Sequence, residues 1–292
     1  MTPTAAKDPA LFYAEHGWYH SAEILPDGLL DKVGDLVERL DPHDRDGEIP
    51  SRLRRFLKWD PEGERSPRLN QYIALQYRSV AELALHPVIG EIAAQLAGCD
   101  EIRLFNSSLI VKEPGDQGQF AQVGWHCDKA YWPTCSSHRM ITAWIPLQDT
   151  TAEMGTLTVL DGSHEWPDRP DVAALRRCRS FISTDHDELR RRLESLGLPF
   201  KPTPMQLRRG QVSFHHPLIF HGSGVNRADR ARIALSVHLQ DGENHYEAGA
   251  DEDGQPASYV HDAFVRRTPR GEPDYSDPAI CPVVWRRDHK SC

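Results

Sequence analysis

The chain has 292 residues, with 43 acidic and 34 basic side chains and a formal net charge of −9. Without a concentrated basic stripe this balance argues against a nucleic-acid surface, and no apolar run reads as long enough to span a bilayer. The length suffices for one large core, so a single domain over residues 1–292 is expected, as a monomer or a homodimer.

Taken in order, residues 1–100 read as a mainly helical support. The opening Met1-Thr-Pro-Thr-Ala-Ala-Lys7 lacks the apolar stretch of a secretory leader, so a cytoplasmic location is expected. Apolar residues at Leu29, Leu30, Val33, Leu36, Val37 and Leu40 predict a helix over 28–40. A second helix is predicted over 80–96, interrupted near His86-Pro87 because proline disfavours helix in the residue before it. Residues 101–240 then supply strand-like segments at 102–112, 139–147, 156–160, 212–221 and 231–240. In the last of these Arg232, Ala234, Ser236 and His238 share one face, and Ile233, Leu235, Val237 and Leu239 share the other. Met140, Thr142 and Trp144 likewise alternate against Ile141, Ala143 and Ile145. Each such strand presents a polar, cavity-facing side and an apolar, core-facing side. Repeated strands with little helix between them suit a mainly β jelly-roll or cupin-like barrel with flanking helices.

Residues 161–198 form an insertion between barrel strands, with a helix expected over 185–196, that either covers the site or braces the barrel. The tail 241–292 has apolar anchors at Tyr259, Val260, Phe264, Val283, Val284 and Trp285 and is expected to wrap the surface or join an oligomer interface. The six cysteines (Cys99, Cys127, Cys135, Cys178, Cys281 and Cys292) show no paired zinc-type spacing and read as free thiols.

The residues that carry chemistry are Trp125-His126-Cys127-Asp128 and, 95 positions after His126, Phe220-His221-Gly222-Ser223-Gly224. In an extended segment residues 126 and 128 point the same way while Cys127 points into the core. Two imidazoles and one carboxylate are the ligand set that holds non-haem Fe(II) and leaves coordination positions open. Downstream, Arg232 heads a polar strand face, and a guanidinium there can grip a carboxylate bidentately. Arg230 has the same parity and competes for that role. His215 and His216 lie near His221, and His186-Asp187-Glu188 repeats the His-x-carboxylate form, but the latter sits at a helix start where acidic residues satisfy backbone amides.

Here the sequence resembles the phytanoyl-CoA dioxygenase family of Fe(II)/2-oxoglutarate-dependent oxygenases. The resemblance runs from Phe12-Tyr13-Ala-Glu-His-Gly17-Trp18 to about Gln240. It is carried by His126-Cys-Asp128, Ala143-Trp144, Gly155-Thr-Leu-Thr-Val-Leu-Asp-Gly-Ser-His164 and His221-Gly-Ser223-Gly-Val-Asn226 through Arg232. It implies a double-stranded β-helix with Fe(II) on His126, Asp128 and His221. It also implies 2-oxoglutarate held by Arg232 and Ser223 beside Trp144 and Ser108, with O₂ as oxidant. Asp161 departs from the family's usual proline and is expected to affect only a turn; His164 is expected to be structural. Related halogenases replace the iron carboxylate by a small residue, so Asp128 implies hydroxylation or a related C–H oxidation.

For the small-molecule substrate, Lys129, Tyr131 and Trp132 follow the metal motif and are expected at the cavity mouth, and Asn106 could reach it from the preceding strand. Trp132 occupies the position at which the similar ectoine hydroxylases carry a tryptophan, but the rest of their signature is missing after Asp128, which argues against ectoine itself. Basic residues are mostly arginine, a bias that suits a GC-rich bacterial genome and with it natural-product tailoring. Two other classes share the scaffold: an O₂-independent metal-dependent cupin isomerase or hydrolase, and a small-molecule binding protein that has lost catalysis. Oxygen dependence separates the first, and succinate release the second.

Overall fold

The alternating pattern of the longest strands sets the architecture, because each must bury an apolar face while keeping its polar face towards a cavity. The computed structural model describes residues 8–40, 45–47, 49–54, 68–115, 121–177, 186–249 and 255–288. Its strands are β1 (Trp18–His20), β2 (Arg68–Gln71), β3 (Glu101–Lys112), β4 (Val123–His126), β5 (Ile141–Pro146) and β6 (Thr158–Leu160). They continue with β7 (Pro202–Pro204), β8 (Ser213–His215), β9 (His221–Ser223), β10 (Arg232–Asp241) and β11 (Val283–Arg286). A major sheet runs β1-β8-β5-β10-β3-β11, with β2 also paired to β3; a minor sheet runs β4-β9-β6-β7. Every pairing is antiparallel. This is the jelly-roll, cupin-like arrangement expected.

Behind the major sheet, Ile141, Ala143, Ile145, Leu235, Val237 and Leu239 are all buried in one core with residues of the N-terminal helices. The N-terminal helices are α1 (Pro9–His16), α2 (Asp27–Glu38), α3 (Ser51–Arg54), α4 (Arg78–Ala84) and α5 (Pro87–Ala97), of which α3 instead places Leu53 in a different core. By length and composition alone Arg78–Ala97 would pass for a membrane span, contrary to the first reading of the sequence. It is broken between α4 and α5, and Val80, Leu83, Ile89 and Ala93 are spent on the core. Residues before 100 also contribute β1 and β2, which the helical reading missed because both are short.

The segment 212–221, predicted as one strand, is two strands in different sheets. Pro217 sits in the intervening turn, where it has no N–H to offer a ladder. The insertion forms α6 (Pro170–Arg176), which the sequence did not announce, and α7 (His186–Ser195). Val172, Leu189 and Leu193 pack with Trp125, Cys127, Leu160 and Phe220. They therefore brace the minor sheet on the side away from His126. In the tail, Phe264, Val265, Tyr275 and Ile280 join Phe105, Trp132 and Met140 in a separate core, and β11 adds a strand beside β3. Of the cysteines, Cys99, Cys127, Cys135 and Cys281 are free and buried; Cys178 and Cys292 lie outside the described residues.

Candidate metal centre

His126 and His221 are direct cross-strand partners in the minor sheet. The Nδ1 of His126 lies 2.9 Å from the Gly124 carbonyl, and that of His221 lies 3.1 Å from the Ile219 carbonyl. A carbonyl can only accept, so each ring donates through Nδ1 and turns Nε2 to the other side, where it offers a lone pair once unprotonated. Both Nε2 atoms face one oxygen of Asp128: Oδ1 is 3.4 Å from His221 and 3.9 Å from His126. One ligand atom from each residue falls within 4.8 Å of the others, and this is the single His/Cys/Asp/Glu cluster of metal-binding geometry among the described residues. Asp128 does not extend β4 but opens a 3-10 turn, Asp128–Tyr131. Extended geometry at Cys127, φ −109° and ψ 139°, nevertheless carries the alternation through to it. Cys127 points away and donates its thiol to the Leu218 carbonyl at 3.2 Å.

The other oxygen, Oδ2, is held from the major sheet. It accepts from the Thr142 hydroxyl at 2.6 Å and from His215 Nε2 at 3.3 Å. His238 Nδ1 lies 2.9 Å from the Thr142 hydroxyl oxygen. Burial alone would raise the Asp128 carboxyl, but the imidazole of His221 and the hydrogen bond from His215 outweigh it and hold the group well below the usual carboxylate range. Burial, reinforced by His221, pushes His126 down to about 3. His221 is also opposed by burial, but Asp128 prevails and raises it. The arrangement is an anionic carboxylate beside one imidazole held neutral, His126, and a second, His221, whose hold on a proton Asp128 strengthens and whose proton a bound cation would displace.

Arg232 is 2% exposed, and its guanidinium stands 5.6 Å above the Trp144 ring. Its Nε has no partner, and among the described residues no carboxylate pairs with it. Burial draws it down to about 10, still cationic at neutral pH. A buried, unpaired guanidinium is costly unless an anion completes it. Arg230 is exposed, so of the two candidates Arg232 alone faces the interior.

Ser108 and Trp144 flank Ser236 across β3, β10 and β5, and Ser223 is buried at the end of β9. Lys112, paired with Arg232, donates to the carbonyls of Ser223, at 3.2 Å, and Gly224. Gly155, at φ +61°, lets that loop approach: a Cβ there would run into the Gly224 and Val225 carbonyls.

Of the suggested substrate residues, Trp132 is buried edge-on to Phe105 and to His238, with ring centroids 5.7 and 5.2 Å away. Tyr131 stands edge-on to His126 at 5.6 Å. Lys129 donates to the carbonyls of Cys135 and Ser137, and Asn106 accepts from the backbone of Tyr72 and Ser107. Those polar groups are engaged within the protein.

His164 lies against Gly17 with Nε2 2.9 Å from the Ala14 carbonyl, a packing role. His216 packs on His164, 5.1 Å away. Asp161 does more than shape a turn: its Oδ1 accepts from Trp18 Nε1 and faces His16 Nδ1, both at 2.8 Å, tying the N-terminal helix and strand to the barrel. Sequence reading missed Thr142, His215 and His238 as partners of Asp128. The signal available was the polar face of β5 and β10 for Thr142 and His238, and for His215 its closeness in sequence to His221.

The family model described as "Phytanoyl-CoA dioxygenase (PhyH)" matches residues 19–234. The peroxisomal phytanoyl-CoA dioxygenase of Bos taurus is 27% identical over 144 residues, covering 48% of this chain and 40% of the relative. A probable alpha-ketoglutarate-dependent hypophosphite dioxygenase of Stutzerimonas stutzeri is 30% identical over 143 residues, covering 47% and 45%. The matched stretch thus spans less than half of these relatives. Among solved structures, the non-heme alpha-ketoglutarate-dependent carbocyclase SnoK from nogalamycin biosynthesis superposes with a TM-score of 0.64 at 25% identity, over 88% of this chain and 95% of that one. With the family match running from β1 into β10 and so taking in both halves of the site, the chain belongs to the phytanoyl-CoA dioxygenase family.

Proposed function

We propose that this protein is an Fe(II)- and 2-oxoglutarate-dependent dioxygenase that oxidises an unactivated C–H bond of a small molecule, with release of succinate and CO₂. The observation that carries this reading is the His126, Asp128, His221 cluster together with the buried, unpaired guanidinium of Arg232, which stands over Trp144, two residues along β5 from the Thr142 that bonds Asp128. The donor set fits the metal, since two imidazoles and a carboxylate, with His221 giving up its proton on binding, suit Fe(II) with positions left open. The orphaned Arg232 fits the distal carboxylate of an oxoacid, with Ser223 beside it.

In this reading His126, Asp128 and His221 hold the iron, which when bound supplies the O₂ chemistry that couples oxidative decarboxylation of 2-oxoglutarate to C–H oxidation. Arg232 orients the co-substrate through its far carboxylate, and Trp144 and Ser108 line its flank. The apolar residues around the barrel interior, Leu157, Val159, Ile219 and Ala234, limit water there. Retention of Asp128 supports hydroxylation or a related oxidation over halogenation. SnoK, an alpha-ketoglutarate-dependent carbocyclase of antibiotic biosynthesis, supports a natural-product substrate, and cyclisation belongs among the outcomes to be sought.

The test is succinate release by anaerobically purified protein given Fe(II) and 2-oxoglutarate and then O₂, with and without a metabolite extract. Succinate that requires iron, O₂ and Arg232 is expected, with stimulation by a substrate-bearing fraction. No 2-oxoglutarate binding would overturn the reading in favour of an O₂-independent cupin enzyme.

A further inference from the structure

We infer that Thr142, His215 and His238 are positioning residues that make Asp128 present a single oxygen to the metal; this rests on the metal reading above. The three come from three adjacent strands of the major sheet and stand in one cross-strand row, His215 opposite Thr142 and Thr142 opposite His238. Asp128 arrives from the other sheet, at the end of β4, and its two oxygens are treated differently. Oδ1 faces the Nε2 atoms of His221 and His126. Oδ2 accepts from Thr142 and His215, with His238 Nδ1 3.9 Å away.

The direction of these bonds follows from the carboxylate, which has no proton to give. The one hydroxyl proton of Thr142 goes to Oδ2, so His238 donates its Nδ1–H to the Thr142 oxygen. A carboxylate free to rotate would exchange its oxygens or bring both onto a cation. Donors fixed on three strands paired side by side in the major sheet prevent both movements. A carboxylate held to one oxygen leaves open the coordination position that bidentate binding would fill, and the chemistry proposed needs open positions.

The probe is Mn(II) on the full-length protein, read by the relaxation of water protons, which reports how many waters the bound ion holds. Thr142→Val keeps the shape and removes the donor. Its bound Mn(II) is expected to lose about one third of the wild-type relaxation enhancement, because three open positions become two, and to bind roughly tenfold more weakly. Thr142→Ser is expected to restore both. His215→Phe, which fills the same buried space, is expected to show the same loss and decides the matter should Thr142→Val fail to fold. Unchanged hydration in the variants, with or without weaker binding, overturns the inference while leaving the metal reading in place. Wild-type protein that takes up no Mn(II) overturns both.

Discussion

The two sheets divide the labour unequally. The minor sheet carries the metal-facing histidines on strands of three and four residues, whereas β3 and β10 of the major sheet run twelve and ten residues and are paired along their length. Short strands specify register weakly by themselves. The minor sheet is instead pinned from outside, by α6 and α7 behind it and by the Thr142 and His215 donors in front. The difference teaches that the residues with the chemistry sit where the backbone is least self-sufficient, and that the neighbouring sheet supplies their precision.

Breaking the minor sheet's contribution should have the largest effect. His221→Ala and Asp128→Ala are each expected to abolish metal-dependent succinate release while far-UV circular dichroism stays native; turnover at the wild-type rate in either would refute the metal assignment. Next comes Arg232 on the major sheet, whose charge serves ligand binding at the expense of stability. Arg232→Met is expected to weaken 2-oxoglutarate binding by about 10- to 100-fold, the loss of a charge-assisted pair. The same change is expected to stabilise the ligand-free protein by about 1–3 kcal/mol, because an unpaired buried cation is removed. Calorimetric binding and urea unfolding of the same variant measure the two sides, and a destabilised ligand-free variant would contradict the unpaired-charge argument.

On the opposite face of the same strand, Leu235→Ala should cost about 2–5 kcal/mol by leaving a cavity in the main core, yet leave 2-oxoglutarate affinity near wild type. Equal losses of stability and affinity would show that the two faces of β10 are not independent.

The smallest effect concerns His261, in the core built by the tail. Its imidazole is fully buried, and burial pushes it down to about 3 from an ordinary value of 6.5. The unfolded chain therefore binds a proton that the folded one refuses, and stability should fall as pH drops from about 6.5 towards 3. His261→Phe is expected to flatten that part of the urea-midpoint profile between pH 7 and 5; an unaltered slope would remove His261 as a contributor.

Legibility in the sequence varied with how local each signal is. The cavity and core faces of β5 and β10 could be read because alternation is set within a strand. The break between α4 and α5 followed from His86-Pro87. The division of 212–221 between two sheets could not be read, since nothing local distinguishes a bent strand from two strands until their pairing partners are known. The same holds for Asp161, whose bonds to Trp18 and His16 span more than 140 residues. Parity alone left Arg230 and Arg232 open; the family spacing pointed to Arg232, which is also the buried one of the two.

What the sequence determined by itself is the chemistry on offer. It set two imidazoles and a carboxylate at spacings a barrel can close, a cationic strand head, and enough alternating strands to build the barrel, because residue type and side-chain period are local properties. What only the tertiary structure decided is which atoms of those groups face one another. Asp128 has two equivalent oxygens in the sequence and two different ones in the fold, because strands distant along the chain bring a hydroxyl and an imidazole to one of them and leave the other to His126 and His221.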